Sequence, residues 1–102
     1  MTTSSPIKRG LPPMHPGELL REDIIPALDK SKTEIAKMLG ISRQTLYDII
    51  DEKQPVTVTM ALRFGKLLGN SPFFWLNLQQ AYDLERAERE VDVSAIPTLK
   101  VA

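Results

Sequence analysis

Apolar residues recur at spacings of three and four along most of this chain, broken at glycine, proline and serine, and that rhythm predicts helices joined by tight turns. The clearest stretch is Ser31 to Lys53, SKTEIAKMLGISRQTLYDIIDEK. Ser31 followed three residues later by Glu34 is a capping box, so a helix begins near Lys32. Ile35 and Leu39 mark its buried face, and Ala36 is small enough to let a second helix cross close by. Gly40 ends it, because glycine enters the left-handed conformation without a Cβ penalty, and Ser42 is placed to cap a second helix from Arg43. In that helix Leu46, Ile49 and Ile50 pack inward. Two short helices with a glycine turn, a small crossing residue and spaced apolar positions read as a helix-turn-helix.

The same signals organise the rest. A first helix is expected from about Pro16 to Ile25, burying Leu19, Leu20 and Ile24, with Pro26 disturbing its end and Leu28 returning to the core. His15 is placed at its start, and Glu18 and Glu22 suit the positive end of its dipole. Thr57 caps a fourth helix through Leu68 with Ala61, Phe64, Gly65 and Leu68 inward, closed by Gly69-Asn70. Ser71-Pro72 starts a fifth, to about Glu90. The expected fold class is therefore all-α: five helices around one core, with the helix-turn-helix at helices two and three. Residues 1–14 read as a flexible leader, 15–90 as the domain and 91–102 as a tail. In the leader, Lys8 and Arg9 are available as an arm to a DNA backbone, although an uncommitted tail fits the composition better. Val91, Val93 and Ala95 alternate with polar residues, which leaves a short strand, a tail or a partner-ordered segment open.

The polar side of the helix from Arg43 carries the candidate chemistry. Gln44 and Asp48 point away from the apolar face, with Tyr47 beside them and Arg43 and Thr45 on the flanks. An amide matches adenine, a guanidinium matches guanine, and a carboxylate accepts from the cytosine amino group. Thr45 and Tyr47 suit a thymine methyl or a phosphate, and Lys32, Lys37 and Lys53 suit phosphates. The candidate DNA-binding set is Lys32, Thr33, Ser42, Arg43, Gln44, Thr45, Tyr47, Asp48 and Lys53. A polar helix face is often merely solvated. Here the order of small residue, turn glycine and spaced apolar positions favours groove reading.

The fifth helix is apolar around much more of its circumference than a helix packed on one surface requires. One arc holds Phe74, Trp75, Leu78, Ala81 and Tyr82 and suits the core; the other holds Phe73, Leu76, Leu84 and Ala87 and suits a second copy. A two-fold dimer would set two recognition helices about 34 Å apart, one turn of DNA, and would match an inverted-repeat operator.

Composition narrows the options. A chain of 102 residues with 42% apolar and 25% charged residues supports one folded domain rather than two or a disordered chain. The absence of cysteine removes disulfides, thiolate metal sites and thiol catalysis, and fits a reducing, cytoplasmic setting. One histidine and scattered carboxylates form no recognisable catalytic or metal-binding spacing, so no enzyme, cofactor or metal is expected. No apolar run is long enough for a membrane span. Net charge is zero, but through Lys66 there are ten basic residues against eight acidic, and beyond it three against five. The small basic excess travels with the helix-turn-helix and predicts weak binding to random DNA, leaving specific sites to base contacts and dimerisation.

HPGELL at His15 to Leu20, TEIAKMLGISRQTLYDII at Thr33 to Ile50, ALR at Ala61 to Arg63 and SPFFWLNLQQAYDLERA at Ser71 to Ala87 together resemble the HigA/VapI-type antitoxins, of the Xre/Cro helix-turn-helix type. The resemblance covers most of the chain. It implies a five-helix lambda-repressor-like domain, a homodimer, binding to the double-stranded operator of its own operon, and a cognate HigB-like toxin, which in that family resembles ribosome-dependent mRNA interferases. The family's reading positions fall on Arg43, Gln44, Thr45, Tyr47 and Asp48. Asp51 and Glu52 stand where the family commonly has asparagine-glycine, and Pro55 where a glycine is frequent. Two carboxylates there are expected to repel phosphate. Alternatives are a stand-alone Xre-type repressor without a toxin, and a protein-interaction module whose helix-turn-helix no longer binds DNA.

Overall fold

The structure, a computed structural model, describes residues 13–101. The leader up to residue 12, with Lys8 and Arg9, lies outside the described residues. The first helical run comprises α1 (Pro16–Leu19), a π-helical turn (Leu20–Ile24) and α2 (Ile25–Ala27). It is followed by α3 (Lys32–Leu39), α4 (Arg43–Ile50), α5 (Val58–Leu68) and α6 (Pro72–Glu90). Among the described residues there is no strand, and no helix is long and apolar enough to cross a membrane.

Local capping explains most boundaries. The Ser31 hydroxyl accepts from Glu34 N–H at 3.1 Å while the Glu34 carboxylate accepts from Ser31 N–H at 2.9 Å, completing the capping box. Gly40 ends α3 in the left-handed region at φ 74°. Ser42, Thr57 and Ser71 each accept from a backbone N–H of the first turn they precede.

The first helical run departs from expectation. Pro26 does not end it; the helix continues to Ala27, and the preceding turn widens so that Ile25 N–H bonds to the Leu20 carbonyl. Proline has no N–H and its ring crowds the carbonyl four residues back, and the π turn accommodates both. One extra residue in that turn also shifts the helical phase. Ile25 rather than Ile24 therefore joins Leu20 in the core, and Ile24 is only partly covered.

The core is formed by Leu20 and Ile25, by Ile35, Ala36 and Leu39 of α3, by Leu46, Ile49 and Ile50 of α4, and by Val56, Met60, Ala61, Phe64 and Trp75. Val56 and Met60 join it beyond the expected set, and Leu68 is only partly buried. Phe64 and Trp75 meet with ring centroids 5.2 Å apart, which packs α6 on α5. The Trp75 indole N–H donates to Asn70 Oδ1 at 2.9 Å, so the largest core side chain leaves no orphan donor.

Beyond Glu90 the chain forms neither helix nor strand up to residue 101 and turns once, where Ile96 N–H reaches the Val93 carbonyl at 3.0 Å. Val91, Val93, Ile96, Leu99 and Val101 are exposed along it.

Candidate nucleic-acid interface

α4 is fixed from three sides. Its apolar residues sit on α3, where Ala36 is buried at the crossing. The turn before it is braced by Arg63 of α5, whose guanidinium donates to the Leu39 carbonyl at 2.7 Å. Its far end is held by the first helical run: Arg21 donates to the Ile50 carbonyl and pairs with Glu52 at 3.2 Å. Glu52 is itself in the left-handed region at φ 64°, a conformation that disfavours a side chain with a Cβ.

That geometry corrects one expectation. The Glu52 carboxylate is turned toward Arg21 and is not a free charge beside a DNA backbone; Asp51 is exposed. No local pattern announced the pairing, because Arg21 lies 31 residues away from Glu52.

His15 anchors the start of the run. Its Nδ1 accepts from Gly17 N–H at 2.8 Å, and its ring meets Tyr82 of α6 edge-on at 5.0 Å. Burial lowers its pKa from the usual 6.5, opposed by the charges of Glu52 and Asp83 and by a hydrogen bond with the Gln54 backbone. Gly17 was not singled out in the sequence, although its place directly after His15-Pro16 is the available signal for a close approach. Gln79 was also missed: it is buried, accepting from Val56 N–H at 2.8 Å and donating to Asp83 at 3.0 Å.

On the outer side, the expected site residues fall on one continuous surface. Arg43, Gln44 and Tyr47 are exposed on α4, with Thr45 and Asp48 partly covered between them. Arg43 reaches the Thr33 hydroxyl at 3.4 Å, and the Ser42 hydroxyl donates to Thr45 Oγ1 at 2.9 Å. The Lys32 ammonium lies 5.9 Å from the Tyr47 ring centre, which links the start of α3 to α4. Lys53 is exposed at the edge, its N–H bonded to the Asp48 carbonyl at 2.8 Å. Basic groups at the rim and amide, guanidinium and hydroxyl groups at the centre make a surface able to contact phosphates and base edges together.

The second arc of α6 lies on a different surface. Phe73 and Leu84 are 69% and 59% exposed, Ala87 is exposed and Leu76 is partly buried. Of the first arc, Trp75 is fully buried while Phe74 remains 43% exposed.

An all-helical core that holds a polar second helix outward from a glycine turn defines a helix-turn-helix protein. The helix-turn-helix family model matches residues 20–76, and the chain belongs to that family. It is 37% identical over 83 residues to virulence-associated protein I of Dichelobacter nodosus, covering 81% of this chain and 77% of that one. Antitoxin GraA in complex with its operator superposes with a TM-score of 0.81 at 37% identity, covering 93% of this chain and 99% of that one. Pseudomonas aeruginosa antitoxin HigA with the higBA promoter gives 0.74 at 33% identity, covering 85% and 99%.

Proposed function

We propose that this protein is the antitoxin of a toxin–antitoxin module, that it represses its own operon by binding an inverted-repeat operator as a dimer, and that it sequesters a HigB-like toxin. The observation that carries the proposal is the exposed surface of α4 and the start of α3, on a chain that matches GraA, solved with its operator, over nearly its whole length. Arg43, Gln44, Thr45, Tyr47 and Asp48 occupy the groove-facing side, while Lys32, Thr33, Ser42 and Lys53 border it where backbone phosphates would run. The exposed Phe73, Leu84 and Ala87, with Leu76, supply the apolar surface for a second copy. The toxin half is supported by the resemblance of the chain to HigA-type antitoxins along four separate stretches, three of them outside the helix-turn-helix.

The test is co-expression of the tagged protein with the gene adjacent to its own, followed by purification and by growth of cells carrying the neighbour alone. A small protein that co-purifies and arrests growth without its partner is the expected result. A harmless neighbour that does not co-purify would contradict the antitoxin role and leave a stand-alone repressor.

A further inference from the structure

Asp48 does not present a free carboxylate to solvent. One oxygen accepts from Gln44 Nε2 at 2.8 Å and the other from Gln54 Nε2 at 3.1 Å. Its backbone carbonyl accepts from the N–H groups of Lys53 and Gln54, at 2.8 and 3.1 Å, so the loop leaving α4 folds back onto this one residue. Gln44 lies one turn before Asp48 on the same helix, and Gln54 enters from the loop; both are exposed.

A primary amide on a free side chain presents its oxygen and its nitrogen in either order, because a half-turn about the terminal bond exchanges them. Once the nitrogen of Gln44 is committed to a carboxylate, the order is set: Oε1 and the remaining N–H face outward. That is a fixed acceptor and donor pair, the arrangement that discriminates among base edges in a major groove. Each carboxylate oxygen keeps a further lone pair, but with one oxygen held by Gln44 and the other by Gln54 the group is oriented toward those amides, and turning to meet a cytosine amino group would stretch those two bonds.

We infer that Asp48 is a positioning residue, which orients the Gln44 amide and so determines which base that amide reads, and that it does not itself read a base. The inference rests on α4 being the DNA-reading helix. It adds Gln54 to the residues that shape the reading surface.

The full-length protein is used to select duplexes from a random library. Affinity is then measured for every single-base-pair change in the selected site, with wild type, Gln44→Ala, Asp48→Ala and the double variant. Discrimination is expected to collapse by roughly tenfold to a hundredfold at the same base pair in both single variants, with no further loss in the double variant. In the protein free of DNA, the Gln44 and Gln54 side-chain amide resonances are expected to move together in Asp48→Ala. Loss at a different base pair in Asp48→Ala, with losses that multiply in the double variant, would identify a direct reader and overturn the inference. Unmoved amide resonances would overturn it as well. Failure of the wild type to select any sequence removes the DNA-reading role of α4 and the inference with it, and that failure is visible before any variant is tested.

Discussion

A Cβ placed on Gly17 would lie 2.0 Å from the carbonyl oxygen of Ile49. The backbone of α1 is thus pressed against the last turn of α4, at the point where the candidate reading helix is joined to the rest of the core. The obstacle is a backbone carbonyl, which cannot swing aside as a side chain can. Gly17→Ala is expected to destabilise the fold by about 3 kcal/mol in urea denaturation. A variant as stable as wild type would mean that α1 and α4 do not approach this closely.

Gln79 connects α6 to the loop before α5. Removing its oxygen leaves the buried Val56 N–H without a partner, and an orphaned buried donor costs about 1–3 kcal/mol. Gln79→Ala should therefore lose stability in that range, without altering the polar face of α4. Unchanged denaturation would show that Val56 finds another acceptor.

His15 gives the fold a pH dependence of defined sign. Burial lowers its folded pKa below the usual 6.5, so between the two values the unfolded chain binds more protons than the folded one. The contribution to stability is complete above about pH 6.5 and is lost as pH falls through the folded pKa. Protonation also converts Nδ1 from the acceptor of Gly17 N–H into a donor. Denaturation midpoints are expected to fall on acidification through this window. His15→Asn keeps a capping oxygen and removes the titration, so its midpoints should fall less. An identical slope in both proteins would place the titration elsewhere.

The apolar patch on α6 predicts an assembly. Introducing charge at Phe73 and Leu84, both largely exposed in one copy, should leave helix content intact and shift sedimentation from dimer to monomer. Operator affinity should drop as the second recognition helix is lost. A variant that still sediments as a dimer would move the interface to another surface.

Much of this architecture was legible because helix boundaries are set locally. The Ser31–Glu34 box, Gly40, Ser42, Thr57 and Ser71-Pro72 each act within one turn, and the helices they bound lie where those residues predict. The first run was harder. A π turn before Pro26 shifts the helical phase by one residue, and a 3.6-residue period cannot anticipate that. The site divided in the same way. That Arg43, Gln44, Tyr47 and Asp48 share one side of a helix follows from periodicity. What orders that side does not, since Arg21 reaches Glu52 across 31 residues and Gln54 returns to Asp48 only after the chain has turned.

The central claim is that α4 reads a particular DNA sequence through Gln44. The most direct measurement is the affinity of wild type and Gln44→Ala for the duplex upstream of the protein's own gene and for a scrambled duplex, at several salt concentrations. The predicted result is a loss of about 1–3 kcal/mol on the upstream duplex alone, with equal weak binding to scrambled DNA, parallel salt dependence and an unchanged fold. Equal affinity of both proteins for the upstream duplex would contradict the claim.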